Sequence, residues 1–329
     1  MTIDRRSFLY AGGMTAAAAP FATAAHAASH GARTVTDFGV EPNADRDQTG
    51  ALQKALDELS KAGLPVVFPS GFYRATKLTL PSSCTIMGNP RANLHIQEIV
   101  SGDGPGNLGS SSLRFYSLFF QGARSGPDVP QLRIHNAFVT IVECTFAGGN
   151  GASAAIGLEN CTGALSQLQF DGFSSHAISV SGTSVPLTTD GLTISACRIS
   201  GCGSGIRASS GRVSVTQNNI GGCGNGIVAD GTGIVSGNII TGAKNFGLKL
   251  GSAKGNGHIL AQGNILRDCR IGIGVSSSGD DIMASLNMIA GAKDGAIRAF
   301  DGDRLVGPDL ARQSAEAYLN LMVAGNVVR

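Results

Sequence analysis

The chain has 329 residues, a formal net charge of +2 and only 15% charged residues, a balance that excludes a nucleic-acid binder working by bulk electrostatics and a disordered acidic tail. Forty-seven glycines, no tryptophan and 42% apolar residues fit many tight turns around small β-branched interiors better than a helical bundle or a doubly wound sheet. An all-β chain with a large buried core is expected.

Residues 1–27 read as an export signal. Asp4-Arg-Arg-Ser-Phe-Leu9 precedes an apolar run from Tyr10 to Ala19 and an Ala25-His-Ala27 triplet of cleavage-site type, which puts the start of the mature protein near Ala28. The run is too short to span a bilayer, so no transmembrane segment is expected in the mature chain, and a periplasmic or secreted location follows. Arg5 and Arg6 followed by Ser-Phe-Leu resemble the twin-arginine signal. That resemblance implies the twin-arginine export machinery as a partner; a general secretory signal that happens to hold two arginines is the alternative.

Residues 28–329 read as a single domain. Thr36-Asp-Phe-Gly-Val40 and Asp45-Arg-Asp-Gln-Thr-Gly50 form a short strand and a polar loop. A helix is predicted from about Gln48 to Lys61, with Leu52, Ala55, Leu56 and Leu59 on one apolar stripe, Asp47 at its start and Gly63-Leu-Pro65 at its end. Val66-Val-Phe-Pro-Ser-Gly-Phe-Tyr73, Leu78-Thr-Leu80 and Thr85-Ile-Met-Gly88 follow as short strands.

The order and spacing of these phrases over residues 35–90 resemble the N-terminal section of the pectate-lyase-like superfamily, which includes polygalacturonase-type hydrolases and phage tailspikes. The resemblance implies a right-handed parallel β-helix whose open end is capped by the helix. The whole chain, signal plus repeats, also resembles the twin-arginine-translocated repeat proteins, a family of unassigned activity.

Looser coils with larger apolar residues follow in Ser112-Leu-Arg-Phe-Tyr-Ser-Leu-Phe-Phe120, Phe138 to Phe146 and Leu165 to Phe170, with glycine-rich loops around Gly102 to Gly109 and Gly148 to Gly151. From Leu192 to Phe300 one phrase is written five times: a strand, a glycine turn and a second strand. Aligning Arg198, Asn219, Asn238, Asn264 and Asn287 gives spacings of 21, 19, 26 and 23 residues, the signature of a solenoid. In the second strand the alternate positions Ile178/Val180, Ile206/Ala208, Ile227/Ala229, Leu248/Leu250, Ile273/Val275 and Ile297/Ala299 are all apolar and point inward. Asn219, Asn238, Asn264 and Asn287 are expected to stack as a structural amide ladder. Gly307 to Tyr318 is predicted as a short helix, and Leu321-Met-Val-Ala-Gly-Asn-Val-Val328 repeats the strand phrase without an obvious cap beyond it.

Cys84, Cys144, Cys161, Cys197, Cys202, Cys223 and Cys269 show no C-x-x-C spacing, so neither a zinc site nor a redox motif is indicated. Cys202 and Cys223 fall one coil apart, at the ~4.8 Å strand spacing, inside the Cα range of a disulfide. A disulfide and a column of buried thiols are equally open readings.

The outward row on the second strands is the candidate substrate-binding surface: Arg207, Lys249 and Arg298 recur on alternate coils about 10 Å apart, with Asp230 one step along. Such a row suits an acidic polysaccharide through guanidinium and ammonium contacts; well-spaced soluble residues on exposed strands are the bland alternative. The family resemblance implies a lyase or glycoside hydrolase built on acidic calcium ligands or clustered aspartates. Asp190, Asp280-Asp281 and Gly257-His258 echo those motifs in the wrong order, and Asp280-Asp281 also reads as a polar turn. Catalytic residues are therefore not assigned. No clear cofactor motif is present; the Asp301-x-Asp303 spacing beside Arg304 is compatible with weak calcium binding or simply with a turn. The expected function is binding or processing of a polysaccharide, uronate-containing chains among them, on a lateral face. A noncatalytic envelope or surface scaffold or adhesion module is the alternative.

Overall fold

The computed structural model of the chain describes residues 33–89, 92–101, 111–122, 129–149, 152–182, 191–252, 255–302, 304–313, 315 and 318–329. The export signal, the loop around Gly102 to Gly109, Asp190 and Asp303 lie outside the described residues.

From Thr34 onward the chain winds as a parallel β-solenoid. Each coil contributes one rung to each of three lateral sheets. Sheet one contains Pro130–His135, Ala154–Glu159, His176–Ser181, Phe246–Leu250, Ile271–Ser276 and Ile297–Asp301, together with the first halves of the long strands Ser204–Thr216 and Asn225–Ser236. Sheet two takes the second halves of those long strands, with Ala137–Val142, Thr162–Ser166, Leu192–Ser195, His258–Gln262, Asp281–Ser285 and Leu321–Ala324. Sheet three is built of short rungs such as Thr145–Ala147, Gln169–Asp171, Arg198–Ser200, Asn219–Gly221, Ile239–Thr241 and Met288–Ala290.

The predicted register holds. Ile178, Ile206, Ile227, Leu248, Ile273 and Ile297 pair rung to rung, and each is 0% exposed. Period-two alternation on a strand buried on one face leaves no other register that keeps these side chains dry. Under sheet three, Phe120, Phe146 and Phe170 stack with centroids 4.6 and 5.0 Å apart, and the column continues as Ile199, Ile220, Ile240, Leu266 and Ile289. One continuous apolar core runs the length of the stack.

The cap forms as expected. The helix Thr49–Lys61 buries Leu52, Ala55, Leu56 and Leu59, and Asp47 accepts the Thr49 N–H at 2.9 Å. Leu56 lies over Phe68, Leu78, Leu80 and Ile86, with which it lines a small apolar void. The stripe thus covers hydrocarbon that would otherwise be open at the N-terminal end of the core.

Three expectations are corrected. Thr36-Asp-Phe-Gly-Val40 is not a strand: Val35–Phe38 forms a 3-10 helix that ends at Gly39 in the left-handed region, φ 80°. The amide ladder runs through Asn218, not Asn219: Asn218, Asn238, Asn264, Asn287 and Asn326 are linked side chain to side chain, while Asn219 is exposed and opens a sheet-three rung opposite Arg198. The predicted helix from Gly307 to Tyr318 is absent among its described residues. Arg304–Asp309 instead folds back antiparallel on Ile297–Asp301, and the chain continues in turns. Gly307 at φ 67° and Pro308 are poor helix interior residues. Asp309 then fastens the fold-back by accepting the N–H groups of Ala296 (2.9 Å), Ile297 (3.0 Å) and Ala311 (3.1 Å). This segment covers the last edge of sheet one.

All seven cysteines are buried free thiols. Cys202 and Cys223 are in contact on adjacent coils as thiols, so the column reading describes this structure.

Candidate functional site

The outward row predicted from sequence exists on sheet one. Ser179, Arg207, Val228, Lys249, Gly274 and Arg298 follow one another in register, and Asp230 stands one step along, opposite Ser209. Arg207 is exposed, its Nε donating to Ser209 Oγ at 3.3 Å. Two rungs on, the Lys249 ammonium sits 4.9 Å from the Phe300 ring centroid and 5.7 Å from that of Phe246, close enough for cation–π attraction. Gly274 makes room for this arrangement, because a Cβ there would lie 2.6 Å from the Phe246 ring.

Asp230 lies among these charges. Burial, then the nearby Asp280 carboxylate, push its carboxyl above the usual range, against the opposing pull of Arg207 and Lys249. Arg298 is in register with the row, but its terminal nitrogens donate to the carbonyls of Asp294 at 3.0 Å and Gly307 at 3.1 Å. The fold-back strand that takes up its guanidinium leaves Arg207 and Lys249 as the row's cationic heads.

Sequence reasoning missed the earlier part of this face. His135, Glu159, Ser181, Ser209 and Asp230 form one outward column, and His135 Nδ1 lies 2.9 Å from Glu159 Oε2. Glu98 bridges Arg133 at 2.7 Å and Lys77 at 3.2 Å. The signal was present in Leu132-Arg-Ile134, an in-out-in triplet that pairs with Ile156-Gly-Leu158, but unequal loops between coils hide its register. Sheet one therefore presents acids and bases along much of the stack.

The paired aspartates separate. Asp280 is fully buried and accepts the N–H groups of Gly257 (2.7 Å), Ser252 (2.9 Å) and Gly231 (3.3 Å). Asp281 is exposed on sheet two, 3.1 Å from His258 Nδ1. Asp280 is thus a buried loop clasp with its oxygens taken by backbone, and Asp281 opens a sheet-two strand, whereas the polar-turn reading places the pair together in a turn. Glu159 is three rungs from Asp230, about 14 Å. That exceeds the ~5 Å and ~6.5–9.5 Å separations of two-carboxylate glycosidases. Among the described residues no three His, Cys, Asp or Glu side chains converge on a cation site.

Sheet three carries a groove of about 560 Å³ of mixed polar and apolar lining. Gln169, Arg198 and Asn219 occupy its outward column on successive coils. Beside them, Ser200 Oγ donates to Asp171 Oδ1 at 2.6 Å.

These features define a β-solenoid with a charged lateral face. The chain belongs to the right-handed β-helix family: the family model "Right handed beta helix region" matches residues 134–307, and residues 32–111 match "Rhamnogalacturonase A/epimerase, pectate lyase-like". No curated protein matches the chain. Among solved structures it is similar to a mutant tailspike protein of E. coli bacteriophage HK620 in complex with a pentasaccharide, at 14% identity and a TM-score of 0.58, over 82% of this chain and 59% of that one. A second HK620 tailspike mutant, in complex with a hexasaccharide, gives 14% identity and a TM-score of 0.59 over 91% and 62%. The surface adhesin PfbA of Streptococcus pneumoniae gives 16% identity and a TM-score of 0.58 over 91% and 85%. The chain thus spans about 60% of the tailspike chains' length, and at these identities the likeness is one of fold.

Proposed function

We propose that this chain is an exported polysaccharide-binding β-helix that holds an acidic glycan along the outward face of sheet one, with binding rather than cleavage as its role. The observation that carries the reading is the register of Arg207, Asp230 and Lys249 on consecutive coils, which sets two cationic heads about 10 Å apart along a straight face. A guanidinium and an ammonium at that spacing engage successive carboxylates of an extended chain, while Asp230, Ser179 and Ser209 offer partners for hydroxyls. Two tailspike structures of similar fold hold oligosaccharides, and PfbA is a surface adhesin, which supports a glycan or adhesive role over a metabolic one. Binding is favoured over hydrolysis because, among the described residues, no second carboxylate with free oxygens stands at catalytic distance from Asp230 in its column. The twin-arginine-type start at Arg5 and Arg6 supports delivery to the periplasm or beyond.

The test is retention of the mature chain on uronate-containing and neutral polysaccharides, with unsaturated products and reducing ends followed with and without calcium. Expected are binding to the uronate chains that weakens steeply with salt, at least tenfold loss in the Arg207→Ala/Lys249→Ala double variant, and no product. Equal binding to neutral glycans, or an unaffected double variant, overturns the assignment of this face.

A further inference from the structure

Of eleven exposed large apolar side chains among the described residues, nine fall at or after Ile234, although the fold does not require them. On sheet two the outward column reads Thr140, Ala164, Thr193 and Ser214 over four coils, then Ile234, Leu260, Met283 and Met322 over the next four. On sheet three it reads Thr145, Gln169, Arg198 and Asn219, then Ile239, Ile265, Met288 and Val327. Both faces change from mostly polar to apolar at the same coil.

The corner between the two faces adds an independent anomaly. There the chain turns through a left-handed residue on every coil: Ser117, Glu143, Gln167, Ala196 and Gln217, then Gly237, Gly263, Leu286 and Gly325, so that Leu286 is the one branched aliphatic side chain in the series. Leu286 holds φ 55° with its side chain 63% exposed, where the coils before and after use glycine. A branched aliphatic residue in that conformation is strained, and solvent gives nothing back for it. Strain kept at an exposed corner between two apolar columns points to a surface that is covered in use.

We propose that this corner is an interface between two copies of this chain. Leaving out Val328, which continues the inward Ile289 column, the exposed fractions of the other eight side chains amount to about 430 Å² of apolar area at ~100 Å² per aliphatic side chain. At the ~65% apolar content of homodimer interfaces that corresponds to about 660 Å² per subunit, within the lower end of the standard interface range. The columns themselves are uncharged, and on the sheet-two side the rim is His258 and Asp281, already paired at 3.1 Å. On the sheet-three side the exposed Arg267 stands two residues beyond Ile265, so isologous packing of a second copy keeps the apolar columns together with Arg267 at the solvated rim. Sheet two also offers a groove of about 810 Å³ along this column, walled by Leu319 and Met322, able to take the partner's protruding Leu286.

Light scattering and sedimentation of the mature chain between about 1 and 100 μM test the proposal. Expected are a dimer in the parent, at least tenfold weaker association in Leu286→Gly with the fold and melting temperature retained, and a monomer in Ile239→Lys/Met283→Lys with unchanged circular dichroism. The Arg207→Ala/Lys249→Ala variant should associate like the parent, which separates this interface from the glycan face. A parent that stays monomeric at 100 μM, or a dimer indifferent to both corner variants, overturns it. So does a monomer whose corner residues instead govern partition into phosphatidylcholine/phosphatidylglycerol vesicles.

Discussion

Asn238 and Asn264 are joined twice: Oδ1 of Asn264 accepts the Asn238 backbone N–H at 3.0 Å and its Nδ2 at 2.9 Å. Each ladder amide also donates to a main-chain carbonyl of the preceding coil, Asn264 to Val235 and Asn238 to Val215, both at 2.9 Å. Buried amides satisfied in this way align one coil on the next. Asn264→Ala strands both Asn238 donors and is expected to cost about 3–5 kcal/mol. Asn219→Ala, one residue out of the ladder, should stay within about 0.5 kcal/mol. Urea unfolding midpoints at unchanged slope check both values, and equal losses would contradict the ladder's register.

Asp280 fastens two segments remote from it in sequence, through the N–H groups of Gly231 in one and of Ser252 and Gly257 in the other. Asp280→Ala leaves those donors without a partner and should lower stability by about 3 kcal/mol or more. Gly255→Ala should also be destabilising, since a Cβ at Gly255 would lie 2.0 Å from Asp280 Oδ1. Asp281→Ala removes only an exposed pair with His258 and is expected to shift stability by less than about 1 kcal/mol. Melting temperatures of the three variants rank the effects.

Two aspartates give opposite pH signatures. Burial raises the Asp309 carboxyl, but hydrogen bonds from Ile297, Ala296 and Ala311 outweigh it and leave the group below its ordinary value. Its stabilisation is thus present above the unfolded value near 3.9 and lost as pH falls through the lower folded one. Asp230 is raised, so the native state prefers it protonated, and stability falls as pH climbs from the unfolded value through the folded one. Melting curves from about pH 3 to 7 should show Asp309→Asn losing stability at neutral pH with a flatter acid limb. Asp230→Asn should gain at neutral pH and match the parent at the acid end.

The thiols should be silent in the native protein. Burial pushes Cys144 and Cys197 up to about 12 and Cys161 to about 11. Contact with Cys223 and burial raise Cys202, while the hydrogen bond from Cys202 lowers Cys223 to about 7, so that Cys223 is kept silent by its burial alone, at 1% exposure. A thiol reagent at neutral pH is expected to find almost nothing until denaturant is added, and then seven groups. Five after denaturation would mean that Cys202 and Cys223 are bridged.

What could be read without coordinates was whatever repeats at short range. The Ile206, Ile227, Leu248 and Ile273 column, the Leu52 to Leu59 stripe and the Arg207 to Lys249 row follow from periods of two and 3.6, which depend only on backbone geometry. The ladder slipped by one because Asn218 and Asn219 are adjacent and both polar; a single residue of shift exchanges inside for outside, and only the packing of Asn218 against Asn238 decides between them.

The remainder depended on distance in space rather than along the chain. Nothing local in Gly307-Pro308-Asp309 announces a strand that returns to take up Arg298, nor does Asp280 signal that it will gather backbone from residues 231, 252 and 257. The apolar corner around Leu286 was likewise invisible, because each of its residues sits in an ordinary strand phrase and only stacking makes them one surface. Alternation of apolar and polar residues is written into the chain, since burial acts on every strand in the same way. Which polar groups meet, and which hydrocarbon stays wet, is settled by loops of unequal length that bring distant coils into contact.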